Sequence, residues 1–170
     1  MCIRDRFGLS DVQVLVTGVA PRIFVPVSEN PVTIVIDREL PAMLDEAERT
    51  FLLVRSLEIA ACGMSLAVRN QPREVAFAVH GLIRAFDPMH VADGADVAQL
   101  DKFANQITKL LGRKAKSDLG PLAIEMGGRA GFDAQRLGVS AAELGDRIAL
   151  LSTGSLPSGL SALLKLAWRA

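Results

Sequence analysis

The 170-residue sequence is poor in aromatic residues, with seven Phe, one Trp and no Tyr. Proteins that bind single-stranded nucleic acid stack the bases on aromatic side chains, and this chain has few of them. Its 19 Lys and Arg balance 19 Asp and Glu, so the formal net charge is zero. A neutral chain has no general attraction for polyanions or anionic lipid. We therefore expect no nucleic-acid partner.

Cysteine is also scarce, with only Cys2 and Cys62, and two residues do not indicate a disulfide framework. The apolar core of a secretory signal is missing. No uncharged apolar run reaches the roughly 20 residues that a spanning helix needs: residues 59–68 are too few, and residues 152–164 are interrupted by Gly, Pro and Ser. These absences predict no membrane span and a reducing, cytoplasmic location.

Catalytic motifs are missing as well. The zinc-peptidase motif HExxH needs two His one helical turn apart, whereas His80 and His90 are far from this spacing. There is no G-x-S-x-G elbow, and the glycine-rich residues 127–131 lack the strand and Lys of a phosphate-binding loop. Cys62 lies at the end of an apolar helix, where thiols are usually inert. We therefore predict no catalytic residue, no metal ligand and no cofactor, so the chain is not expected to be an enzyme.

The longest apolar stretch predicts a central buried helix at residues 46–62. Glu, Ala, Arg and Leu are good helix formers, and no Gly or Pro interrupts them before Gly63. Apolar residues fall on nearly every side, which is typical of a helix surrounded by the rest of the fold. Asp45 is a candidate N-cap with Glu48 as the acid of a capping box. Gly63 is the expected residue after the C-cap.

Three strands are predicted before this helix, at residues 12–16, 22–27 and 32–36. Pro26 marks the second as an edge strand or a strand end, and the sequence VTIVI indicates that the third is covered on both faces. Arg113, Lys114 and Lys116 are predicted to lie in a basic loop. Helices are predicted at 64–69, 72–86, 96–111, 119–130, from 133 or 140 to 151, and 160–168. A small sheet followed by six to seven helices predicts an α+β fold.

Two polar side chains within the apolar helix, Arg55 and Glu58, are three residues apart and share one face. Two interpretations stay open. The favoured one is a structural ion pair or charges that reach the surface. The other is a polar pocket that an enzyme or a ligand sensor would use, because charges in apolar surroundings occur in functional sites as well as in structural networks.

The first six residues, MCIRDR, match the translation of a transposase adapter end used in sequencing libraries. We interpret residues 1–6 as a scar to be excluded from fold reasoning; the alternative is that they are native. On the first interpretation, residues 7–170 form a single α+β domain. This domain is then expected to be the C-terminal fragment of a longer bacterial reading frame of metagenomic origin.

Residues 22–63 resemble the core of gluzincin-type HExxH zinc peptidases. In that family a strand and a short segment precede a helix of the form E-x-x-x-(L/V)-x-x-H-E-x-x-H. Glu48 matches the leading acid, whereas Arg55 and Ser56 replace the first His and the general-base Glu. Ile59 replaces the second His. The resemblance implies a degenerate peptidase-like core without its metal site or base.

A second resemblance spans nearly all of the chain after residue 6. FLLVRSL at 51–57 and DRIALLSTG at 146–154 are similar to the FLxGRAL and D/NRAGLLxxGD segments of certain large tetratricopeptide-repeat proteins of myxobacteria and relatives. The similar region is their uncharacterised C-terminal part. Here Ile148 and Ala149 replace Ala-Gly, and Ser155 replaces the final acid. The resemblance implies an accessory domain on a repeat scaffold, without an assigned reaction.

We therefore expect a non-catalytic accessory or protein-interaction domain, whose partner is another protein or upstream repeats of the same chain. Two alternatives stay open: an enzyme or sensor that uses Arg55 and Glu58, and a structural cap of upstream repeats. The candidate interaction surface is the last helix, with Leu160, Leu164 and Trp168, or the edge of the sheet around residues 12–16. Both lie near the ends of the sequence, where exposed edges and ends are least covered.

Overall fold

The computed structural model describes residues 11–92 and 94–167. They group into two compact units, one made of residues 11–70 together with 138–167 and the other of Gln71–Leu137. Residues 1–6, interpreted as a scar, and Trp168 lie outside the described residues.

A three-stranded sheet precedes the helices, which confirms the α+β fold class. Its strands are β1 (Val12–Thr17), β2 (Phe24–Glu29) and β3 (Val32–Asp37). Eight α-helices follow in the described part of the chain: α1 (Leu40–Met43), α2 (Glu46–Ala61), α3 (Ser65–Arg69), α4 (Pro72–Phe86), α5 (Val97–Leu110), α6 (Arg113–Gly127), α7 (Leu137–Thr153) and α8 (Leu156–Ala167). A 3₁₀ helix, Ala134–Arg136, precedes α7. None of the described helices is long and apolar enough to cross a membrane.

The sheet has the order β1-β3-β2, with β3 parallel to β1 and antiparallel to β2. The central position of β3 agrees with its apolar sequence, and Ile34 at its middle is fully buried. β2 is an edge strand, as Pro26 predicts, since proline has no N–H to donate to a second neighbour. The pairing register shifts between Pro26 and Ser28. On the other edge, three β1 residues are at least half exposed: Val14, Leu15 and Val16.

Helix α2 is the predicted central helix and lies in the core of the first unit. The Asp45 side chain accepts from the Glu48 N–H and the Glu48 carboxylate accepts from the Asp45 N–H, each at 2.8 Å, so the predicted capping box is confirmed. Gly63 has a φ of +68°, which favours glycine after a helix C-cap. The buried apolar side chains of α2 are Phe51, Leu52, Val54, Leu57, Ile59 and Ala60. The helix packs against β2, β3, α3 and α8.

In the second unit, α4 packs against α5, α6 and the 3₁₀ helix. Helix α6 begins at Arg113, so the prediction of a basic loop was wrong: Arg113, Lys114 and Lys116 form the first turn of the helix. Arg, Lys and Ala are good helix formers. Their propensity outweighs the unfavourable placement of cations at the positive end of the helix dipole, which costs only about 0.3–1 kcal/mol per charge at an exposed position.

Helix α7 approaches α3 closely because its first turn contains a glycine. A Cβ atom built at Gly138 would overlap the carbonyl oxygen of Ala67, a backbone atom that no side-chain rotation can move. By contrast, a Cβ atom at Gly18 would only make ordinary contacts with the flexible end of Arg38. The contact between α3 and α7 in the first unit therefore depends on the absence of a side chain at position 138.

We expect Gly138→Ala to destabilise the first unit. Alanine raises helix propensity by about 1 kcal/mol, but the overlap with Ala67 forces a backbone shift, and overpacking typically costs about 1–3 kcal/mol. Thermal unfolding followed by circular dichroism measures the difference, with Gly18→Ala as the control in the same unit. A Gly138→Ala melting temperature at or above that of the wild type would contradict the close contact.

Candidate functional site

Helix α8 has an exposed face that carries three leucines. Leu156, Leu160 and Leu164 are 58%, 53% and 67% exposed. Because residues four apart lie one above the other on a helix, the three form a continuous apolar stripe, called here the leucine stripe. The sequence prediction named Leu160 and Leu164 as a candidate interaction surface, and the structure places both at the surface.

The opposite face of α8 packs closely on the central helix through small residues. Ala162 is fully buried, and a Cβ atom at Gly159 would lie only 3.0 Å from the ring of Phe51 and 2.7 Å from a methyl carbon of Leu150. Because side chains larger than these would hold the helices apart, the sequence of this inner face fixes which side of α8 faces outward.

A buried carboxylate joins the same two helices. Glu48 is 2% exposed, and its oxygens accept hydrogen bonds from Lys165 Nζ at 2.6 Å each. Ser161 Oγ donates to Oε1 at 2.5 Å, while Lys165 Nζ also donates to the carbonyl of Met43 at 2.9 Å. Lys165 is the one charged residue in the sequence of α8. Because the Lys165 side chain points toward Glu48, it does not add a charge to the leucine stripe on the other face.

The surroundings of Glu48 shift its pKa in opposing directions. Burial raises the pKa, but the hydrogen bonds from Lys165, Ser161 and the Asp45 N–H outweigh burial and bring it below its ordinary value. A carboxyl whose pKa is lowered in the folded state stabilises the fold at pH values above its unfolded-state pKa, which is about 4.3 for Glu. This stabilisation is lost as the pH falls through the lowered pKa.

We expect Lys165→Met to lower the free energy of unfolding by roughly 3–5 kcal/mol at pH 7, because it leaves the buried Glu48 charge without its cation. The deficit should shrink as the pH falls below the unfolded-state pKa of Glu, about 4.3, and through the lowered pKa of Glu48, because the wild-type carboxylate then becomes protonated and loses its advantage. Urea unfolding at pH 7 and in acid measures the difference. Arg147→Met, which removes an exposed 3.9 Å ion pair with Glu143, is the control, and a deficit that does not change with pH would contradict the role of Glu48.

The structure does not bring Arg55 and Glu58 together as an ion pair. Arg55 Nε instead lies 2.5 Å from Asp146 Oδ1 on α7, and the two side chains are 13% and 29% exposed. Helix α7 comes close at this point because a Cβ atom at Gly145 would be 3.1 Å from the Arg55 carbonyl oxygen. Sequence reasoning found Arg55 from its apolar surroundings but missed Asp146, since 91 residues separate the partners.

Glu58 interacts within its own helix. Its carboxylate accepts a long hydrogen bond of 3.5 Å from the thiol of Cys62. Partial burial and the nearby Glu58 carboxylate raise the pKa of the Cys62 thiol, so the nucleophilic thiolate is disfavoured.

A double-mutant cycle on Arg55 and Asp146 should show coupling. We expect Arg55→Ala and Asp146→Ala each to destabilise the first unit, and the double variant to lose about 1–2 kcal/mol less than the sum, because the second change no longer breaks an ion pair. The matched cycle on Arg55 and Glu58 should be additive within about 0.5 kcal/mol. Urea unfolding tests both cycles, and strong coupling in the second with none in the first would contradict the observed pairing.

The second unit contains a pair of histidines that the sequence prediction treated as unrelated. His80 Nδ1 on α4 lies 2.9 Å from His90 Nε2 in the following loop, and the rings are stacked with centroids 5.2 Å apart. Arg84 donates to the His90 carbonyl at 2.5 Å and pairs with Asp101 on α5. The signal available in the sequence was the helix stop at Asp87-Pro88, which turns the chain back on itself. Among the described residues, no group of three or more His, Cys, Asp or Glu could hold a metal ion.

Comparison with known proteins gives no relative. No protein-family model matches the chain, and no curated protein or solved structure matches it either.

Proposed function

We propose that the chain is a non-catalytic accessory domain that binds a protein partner through the leucine stripe of α8. The observation that carries the proposal is the combination of exposure and neutrality: three leucines at helical spacing are each more than half exposed, and the one charged residue of the helix faces the core. Contiguous exposed apolar patches mark interaction sites on soluble proteins.

The proposed occupant is an amphipathic helix of the partner with an uncharged apolar face. Residues at i, i+4 and i+8 form a ridge that fits the groove of a second helix, and helix-in-groove recognition uses anchors at this spacing. A strongly charged partner segment would have to be desolvated against leucine without an opposite charge, which is unfavourable. This partner is either another protein or a repeat of the same chain.

A lack of catalysis is proposed from the residues that stand where the gluzincin resemblance would require a metal site. Arg55 is engaged by Asp146. The Ser56 hydroxyl is buried without a hydrogen-bond partner among the described residues, and Ile59 is 1% exposed. None of these side chains is a metal ligand or a base in this environment. We propose a degenerate peptidase-like core on this basis.

Attachment to a repeat scaffold is likewise a proposal. The two segments that resemble the C-terminal region of tetratricopeptide-repeat proteins are in contact in this fold, since Arg55 of the first pairs with Asp146 of the second. A shared ion pair would explain why both segments occur together in such proteins. The proposed location is the cytoplasm, which agrees with the free thiol of Cys62 in a reducing compartment.

We expect the chain, in the absence of its partner, to self-associate through the leucine stripe. Leu160→Glu together with Leu164→Glu should abolish the association, because two like charges at each contact oppose burial. Sedimentation velocity over a range of concentrations measures the effect. Leu66→Glu is the matched control, since Leu66 is 65% exposed on α3 of the same unit.

Two results would contradict the docking proposal. One is a wild-type chain that stays monomeric at high concentration. The other is an association that the double substitution leaves unchanged, or that Leu66→Glu removes equally well. Circular dichroism on each variant verifies that the fold is retained, as substitutions at exposed positions normally allow.

A further inference from the structure

A cleft of about 570 Å³ opens within the second unit. Small-molecule sites in proteins have volumes of roughly 300–1,000 Å³, so its size suits a small metabolite. It is lined by side chains of α4, of α5 with its N-cap Asp96, and of the 3₁₀ helix, among them Arg73, Ala76, Phe77, His80 and Gln99. All of its described lining residues lie within Gln71–Leu137, so the site is independent of the leucine stripe.

Contacts within the second unit hold the walls of this cleft in place. The His80 ring, which lines it, is hydrogen-bonded to His90 at 2.9 Å. Arg84 fixes the backbone of His90 and is itself paired with Asp101 of α5. On the apolar side, the ring of Phe77 packs on Phe103 with centroids 5.2 Å apart. A site whose side chains are ordered before binding loses less entropy when a ligand enters.

Two charged residues of the described lining, Asp96 and Arg73, differ in the contacts that they make. The Asp96 carboxylate accepts from the N–H groups of Ala98 and Gln99 and from the Gln99 side-chain amide. It therefore caps α5 and has little capacity left for a ligand cation. The Arg73 guanidinium forms no ion pair or hydrogen bond with any other described residue. Its planar fork of donors is free to bind an oxyanion.

We propose that this cleft binds a small monocarboxylate with an apolar body, its carboxylate on Arg73 and its body against Phe77 and Ala76. Arg binds a carboxylate through two parallel hydrogen bonds. The adjacent aromatic and methyl groups offer an apolar surface of the kind that small-molecule sites provide beside a few polar groups.

Charge selects the monocarboxylate over a phosphate. One guanidinium balances one negative charge, whereas a phosphate dianion would keep an excess charge next to the Asp96 carboxylate. Phosphate sites normally combine several Arg or Lys side chains or a free helix N-terminus. Here Asp96 occupies the N-terminus of α5, and Arg73 is the one Arg or Lys side chain among the described lining residues.

Titration of the whole chain with sodium benzoate, followed by amide NMR, tests the proposal. We expect saturable shifts at Arg73, Phe77 and Gln99, and an affinity for the neutral isostere benzamide that is lower by about tenfold or more, since the charge-assisted pair with Arg73 is absent. Inorganic phosphate should bind more weakly than benzoate. Shifts that do not saturate, or that occur elsewhere on the chain, would overturn the site, and tighter binding of phosphate would overturn the ligand class.

Arg73→Gln should weaken benzoate binding by about tenfold or more, because the bidentate charged pair is lost. Arg73 is exposed, so the variant is expected to keep its fold. Arg113→Gln, an exposed arginine of the same unit outside the cleft, is the control and should bind benzoate like the wild type. Equal binding by Arg73→Gln, or an equal loss in both variants, would overturn the assignment of Arg73.

Discussion

The ion pair between Glu48 and Lys165 sets the arrangement of the first unit. A carboxylate that is 2% exposed is stable only when its charge and lone pairs are fully satisfied. Glu48 meets this requirement with donors from three places in the chain: the N-cap of α2, Ser161 and Lys165. One side chain thus completes a helix cap and fixes the rotation of α8. Because the only charge of α8 is drawn inward, its outer face is left to leucine.

Local signals in the sequence predicted the elements of the fold well. The capping box and Gly63 marked the two ends of helix α2, because each signal acts over one helical turn. Pro26 indicated an edge strand, because its missing N–H directly affects strand pairing. The start of α6 at Arg113 was not predicted. In that segment the helix propensity of the residues and the unfavourable charge at the N-terminus oppose each other, and both terms are below about 1 kcal/mol per residue.

Partners distant in sequence were not predicted. Arg55 was singled out because a charge within an apolar helix needs a partner, but nothing local indicates that the partner is Asp146. Lys165 reaches Glu48 across 117 residues, and the His80–His90 pair depends on how the loop after α4 folds back. Periodicity shows which face of an element is apolar. It does not show which two elements meet, because that is decided by packing of the whole unit.

The first unit is assembled from two separate stretches of the chain, with Gln71–Leu137 lying between them in sequence. Gly138 contacts Ala67, so the chain leaves and re-enters the first unit at neighbouring points, as in domains that tolerate insertions. This order has a consequence during synthesis. The inserted unit has all of its residues once Leu137 has left the ribosome and can fold at that point, since domains fold as units as the chain emerges. The first unit must wait for α8, so its strands and the apolar surface of α2 stay without their final cover for longer.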